Sequence, residues 1–155
     1  MKYYGSILDF TSERNDDLMR AYYTQLAKSD YIIMPEIFSI ISNSPAKRFW
    51  VSEERAAIVI SAMLAGRSVP HNMHPNKRQM YDEIFRRFLL LRKSRPNDSV
   101  YQLVSEIVNQ PAPKFYLTPR TVGEIIYRIK KGWYDRQYDR YRKDKQPQPG
   151  DSDSL

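Results

Sequence analysis

The sequence predicts an all-α protein made of two tandem three-helix, helix-turn-helix-like repeats, and three observations lead there. The phrase NSPAKRFWVSE (43–53) returns as NQPAPKFYLTP (109–119), 66 positions later. Apolar positions keep that offset without a gap, beginning with Leu18 and Ile84. Within each copy they fall at i, i+3, i+4 and i+7, the spacing of one helical face.

The first helix is expected over 12–28 and again over 77–93. Leu18 answers Ile84 and Tyr22 answers Phe88, while Ile84, Phe88 and Leu91 form one face. The second is expected over 34–43 and 99–109, where Ile37, Phe38 and Ile41 answer Leu103, Val104 and Ile107. Asp98 or Asn97 is the expected N-cap of the later copy. The third is expected over 53–65 and from 119. Ala56, Val59, Ile60 and Met63 answer Val122, Ile125, Ile126 and Ile129. Ser52 and Thr118 stand at the N-cap, and Pro119 suits a first helical turn. Gly66 is placed to end the first copy. Its counterpart Gly132 is followed by WYDRQYDRYRKDK, which reads as an extended C-terminal helix.

The repeated phrase is the connector between the second and third helices. Pro111 and Pro113 oppose helix and favour extended backbone, so the FWV and FYL segments are candidates for a short two-stranded pairing. In an extended segment neighbouring side chains point to opposite sides. Phe49 and Phe115 then go to the core, and Trp50 and Tyr116 toward the surface. The expected organisation is a first repeat (1–66), a linker (67–76) broken by Pro70 and Pro75, a second basic repeat (77–145) and a disordered tail (146–155).

Composition excludes several classes. Cysteine is absent, which removes disulfides, thiol nucleophiles and Cys-ligated metals. No stretch approaches the roughly 20 apolar residues of a membrane span, and MKYYGSILDF lacks the pattern of a signal peptide. A cytoplasmic protein without a membrane partner is the expectation. The two histidines, His71 and His74, have no Cys or acidic cluster nearby to complete a metal shell. The acidic pairs Asp16-Asp17, Glu53-Glu54 and Asp82-Glu83 are sequence neighbours, which point in different directions on a helix. No Gly-rich phosphate loop is present. The expectation is therefore a non-enzymatic protein without metal or cofactor.

Charge gives the positive indication. The net charge is +7, unevenly distributed. Residues 1–66 carry seven Lys/Arg against eight Asp/Glu, whereas residues 67–145 carry eighteen against eight. A basic second half points to a polyanionic partner, here nucleic acid, with DNA preferred over RNA. Candidate contacts are Arg120, Thr121, Arg128, Lys130 and Lys131 on the third helix of the second copy, and Arg136, Arg140, Arg142 and Lys143 beyond it. Arg86 and Arg87 add phosphate contacts from the fourth helix, and Tyr116 is a candidate stacking platform. Glu53 and Glu54 begin the corresponding helix of the first copy, so that copy is expected to support or dimerise. The connector, about eight residues, exceeds the three or four of a standard helix-turn-helix turn. Two other readings stand beside this one: an assembly protein that oligomerises or binds an acidic protein partner, and an RNA-binding accessory protein. Assembly expects an exposed apolar patch around Trp50, Trp133 or the stripe Tyr134, Tyr138 and Tyr141, whereas RNA binding expects Tyr116 and that stripe exposed beside the basic residues; a stripe packed back on the domain serves neither.

Overall fold

The computed structural model describes residues 4–67 and 72–145. His71, the middle of the linker and the 146–155 tail lie outside the described residues. Seven helices follow one another: α1 (Tyr4–Lys28), α2 (Met34–Ser42), α3 (Glu53–Leu64), α4 (Pro75–Ser94), α5 (Val100–Val108), α6 (Pro119–Lys130) and α7 (Trp133–Lys145). The protein is all-α, and among the described residues there is no strand. None of these helices is long and apolar enough to cross a membrane.

Local chemistry sets the helix ends. Ser52 Oγ accepts the Arg55 N–H and Thr118 Oγ1 accepts the Thr121 N–H, each at 3.1 Å. At α4 the cap is His74, whose Nδ1 accepts the Asn76 N–H at 3.1 Å. The cap of α5 is Ser99, in place of the expected Asp98 or Asn97. Ser99 and Gln102 form a reciprocal capping box, which satisfies two orphan donors where a lone carboxylate satisfies one. Gly66 (φ 75°) and Gly132 (φ 71°) adopt the left-handed conformation that ends α3 and α6. The predicted continuous C-terminal helix is thus broken at Gly132, and α7 starts anew at Trp133.

The helices interlock. In each half the first helix packs on the second, α1 on α2 and α4 on α5. The third helix crosses to the other half: α3 lies on α4 and α5, and α6 lies on α1 and α2. The two extended connectors make this crossing and meet at one antiparallel bridge. Ala46 and Ala112 exchange both backbone hydrogen bonds at 3.0 Å. The pairing therefore falls before FWV and FYL, not on them. Pro111 and Pro113 have no N–H, so Ala112 is the one backbone donor of that triplet. Phe49 N–H donates across to the Val108 carbonyl at 3.0 Å.

The result is one core shared by both halves. Leu18, Ile41, Phe49 and Ile60 from the first are fully enclosed with Ile84, Ile107 and Ile126 from the second, and Phe115 is 3% exposed. Each enclosed side chain of this size contributes about 1.5–3 kcal/mol, so the shared core dominates over any single polar contact. Gly123 allows the closest approach: a Cβ there would stand 2.7 Å from Phe38 Cε2, so the ring of α2 rests on the backbone of α6.

Two polar clamps hold the connectors. Asp17, with no side-chain exposure, accepts the Lys47 N–H and Trp50 Nε1–H through Oδ2, both at 2.8 Å. Its Oδ1 accepts Arg20 Nη2 at 2.7 Å, and Arg20 also reaches the Pro45 carbonyl. In the other half Arg87 donates to the Pro111 carbonyl at 3.2 Å, to Gln110 at 3.0 Å and to Glu83 at 2.9 Å. The Arg87 guanidinium also lies over the Phe49 ring at 4.9 Å.

Candidate nucleic-acid interface

The basic residues of α6 divide between two sides. Successive residues turn by about 100°, which aligns Arg120, Glu124, Tyr127 and Lys131 on one stripe with Arg128 beside it. All five are exposed. Arg120, its side chain 89% exposed, pairs with Glu124 at 3.1 Å. Lys131 Nζ sits 5.6 Å from the Tyr127 ring centroid, and the Arg128 guanidinium lies 5.3 Å from that of Trp133. Lys130 points elsewhere. Its Nζ donates to Tyr22 Oη at 2.8 Å and lies 4.7 Å from the Tyr22 ring centroid, which fastens α6 to α1. Thr121 is also occupied, its N–H and hydroxyl both bonded to the Thr118 cap.

Gly132 turns the chain into α7, and Arg136 braces that turn by donating to the Lys131 carbonyl at 2.8 Å. Arg136, Arg140 and Lys143 stand at i, i+4 and i+7 and form one exposed stripe. Neither Arg140 nor Lys143 has an ion-pair partner among the described residues. Arg142 belongs to the opposite side. It lies over the Tyr138 ring at 4.5 Å and lines a groove of about 470 Å³ between α1 and α7 with Asn15, Asp16, Tyr134, Asp135 and Asp139. The tyrosine stripe follows this division: Tyr134 packs against the core, Tyr138 lines the groove, and the Tyr141 side chain lies outside the described residues.

The remaining candidates serve the scaffold. Arg86 pairs with Glu83 at 2.6 Å, and Arg87 is spent on the connector. Hydrogen bonds from Arg86, then Arg87, hold the Glu83 carboxyl at about 2, against burial that opposes them. Tyr116 is half-buried and stacked on Phe49 with centroids 6.1 Å apart, at a φ of 58°. Burial raises its phenol above the ordinary value. Trp50 is half-buried too, with its N–H on Asp17 and its ring edge-on to Phe10.

The structure thus leaves Arg120, Arg128 and Lys131 exposed along α6 and Arg136, Arg140 and Lys143 exposed along α7, with the Gly132 turn between the two stripes, and sets Thr121, Lys130, Arg142, Arg86, Arg87 and Tyr116 apart. It adds Tyr127, 63% exposed, which sequence reasoning passed over. The i, i+4 relation of Tyr127 to Lys131 and the Trp133 that follows were the available signal. Against known protein families, curated proteins and solved structures, the chain finds no match.

Proposed function

We propose that this protein is a non-enzymatic, cytoplasmic nucleic-acid-binding factor, with duplex DNA as its first substrate. Its binding face runs along α6 and α7 on either side of the Gly132 turn: Arg120, Arg128 and Lys131 from α6, and Arg136, Arg140 and Lys143 from α7. The observation that carries the reading is the exposed α7 stripe, whose Arg140 and Lys143 have no ion-pair partner among the described residues, together with the cations stacked on Tyr127 and Trp133. Cations so placed neutralise phosphates and release counterions without reading sequence. Arg120 is the α6 side chain best placed to reach a base edge. Tyr127 and Trp133 add ring surface, which suits unpaired bases as well. We further read the two halves as copies of one unit, the second having acquired the binding surface.

Fluorescence anisotropy with mixed-sequence duplex DNA, single-stranded DNA and RNA, titrated across salt, tests the proposal. Binding of about micromolar strength that weakens steeply with salt is expected, tightest for duplex. No binding of any of the three at low salt refutes it. Preference for single strands moves the role to Tyr127 and Trp133. One observation favours the assembly reading instead: Tyr31, Ile32 and Ile33 form a consecutive apolar segment exposed by 78%, 56% and 44%.

A further inference from the structure

The two crossings differ at one position. At the start of α3 the Glu53 carboxylate lies on one face of α5, where Tyr101 Oη donates at 3.3 Å, Ser105 Oγ at 3.4 Å and Asn109 Nδ2 at 2.9 Å. Arg48 feels the same negative charge. At the start of α6 the residue 66 positions on is Pro119, which has no carboxylate to offer. A cavity of about 140 Å³ is found there, lined by Ser42, Asn43, Asn76, Lys114, Tyr116 and Pro119 among others, none of them acidic.

One donor is common to the two places, the asparagine that follows the second helix of each half; Tyr101 and Ser105 answer Pro35 and Ser39, which do not line the cavity. Asn43 and Asn109 each give one amide N–H to the carbonyl four residues back, at 3.0 and 2.7 Å. Asn109 gives its amide also to Glu53, whereas Asn43 has no second partner among the described residues. Lys114 stands where Arg48 stands and forms no ion pair among the described residues. The helix terminus itself adds little. Pro119 lacks an N–H, and the Thr121 N–H is held by Thr118. The attraction comes from the Lys114 ammonium, the Asn43 N–H that has no partner among the described residues, and the polar side chains of Asn76 and Tyr116 that line the cavity. The volume is well above the roughly 10–15 Å³ that a single water requires.

We propose that this cavity binds one carboxylate group, which takes the place that Glu53 fills in the other crossing. The carboxylate comes either from a small acid or from an acidic side chain of a partner. The inference does not depend on nucleic-acid binding, so the two stand or fall separately.

The test is a titration of the full chain with sodium acetate, followed by amide NMR, against sodium chloride at matched ionic strength. Saturable shifts are expected at the Asn43 side-chain amide and the Lys114 backbone amide, with a dissociation constant of about millimolar, and not with chloride. Pro119→Glu installs an internal carboxylate and should abolish the acetate response in a protein that otherwise keeps its spectrum. Lys114→Gln, which leaves the α6 terminus untouched, should weaken the response about tenfold. Glu53→Ala should open a second acetate response at Asn109. A capped peptide with a single Glu side chain, run beside acetate, separates the sources: tighter binding of the peptide assigns the carboxylate to a partner chain, and equal binding to a small acid. Equal, unsaturating drift with acetate and chloride overturns the proposal. So does a folded Pro119→Glu, or a Lys114→Gln, that responds to acetate as the wild type does.

Discussion

Asp17→Asn is the sharpest probe of how the connector is held. Asp17 accepts four hydrogen bonds with no side-chain exposure, two on each oxygen. An asparagine of the same shape keeps one accepting oxygen and turns an NH2 toward the other pair of donors. If the oxygen stays with Trp50 and Lys47, the amide faces the Arg20 guanidinium; if it turns, the Trp50 and Lys47 N–H groups lose their acceptor. A hydrogen bond to a charged group is worth about 1.5–3 kcal/mol. Two are lost, but the Arg20 side chain is 41% exposed and water restores part of its solvation. The expected loss is therefore about 2–3 kcal/mol. For a chain of this length that lowers Tm by roughly 5–10 °C. Urea unfolding followed by tryptophan fluorescence and by circular dichroism reads the value. Trp50→Phe removes the donor from the other side, so its cost should shrink in the Asp17→Asn background. Asp17→Asn within about 0.5 kcal/mol of wild type, a difference ordinary for a surface change, would refute the clamp.

Three further outcomes follow from the same geometry. Glu83 is held at about 2 in the folded chain against an ordinary 4.5, so its stabilisation is complete above about pH 4.5 and is lost as pH falls toward 2. In acid unfolding followed by circular dichroism, the stability gap between wild type and Glu83→Gln should narrow over that window; a constant gap contradicts the assignment. Gly123→Ala should lose about 1 kcal/mol in urea unfolding, because overpacking against Phe38 of about 1–3 kcal/mol exceeds a helix-propensity gain of about 1 kcal/mol. Phe38→Leu in the same chain should recover most of that loss, and failure to do so places the cost elsewhere. Lys130→Gln should reduce stability by about 1 kcal/mol through the lost Tyr22 contact while leaving nucleic-acid affinity within about twofold. A large affinity loss at unchanged stability would mean that Lys130 faces phosphate after all.

The apolar stripes were legible because a 3.6-residue period survives any amount of drift in identity. Leu18 and Ile84, Ile41 and Ile107, and Phe49 and Phe115 are all buried as their spacing required. What periodicity does not contain is the partner of a face. The stripes of α3 and α6 were consistent with packing inside their own halves, and only the length of the connectors lets each helix cross to the other. The Ser99 capping box was readable as S-x-x-Q but competed with Asn97 and Asp98 just before it. At Gly132 the polar, helix-compatible residues beyond it masked the left-handed turn.

The site was half legible. Cation positions read from sequence separate cleanly for α7, where the stripe Arg136, Arg140 and Lys143 is set by spacing alone. They fail where a long side chain finds a local partner, as Lys130 does on Tyr22 and Arg87 on the connector carbonyl. The acidic neighbours dismissed as catalytic pairs have a structural use. Asp17, Glu53 and Glu83 each gather donors that fix a connector or a crossing helix. Asp17 and Glu83 lie 66 positions apart, so the same offset links the two carboxylates beside the connectors.

The central claim is that the α7 stripe, with the α6 turn beside it, contacts phosphate. The most direct measurement is the salt dependence of duplex binding for the wild type and for Arg136→Gln/Arg140→Gln/Lys143→Gln. The account predicts weaker binding in the triple variant at every salt concentration, and a log–log salt slope reduced by about three, one for each phosphate contact removed. An identical slope and affinity in the two proteins, with the variant folded as the wild type, would contradict it.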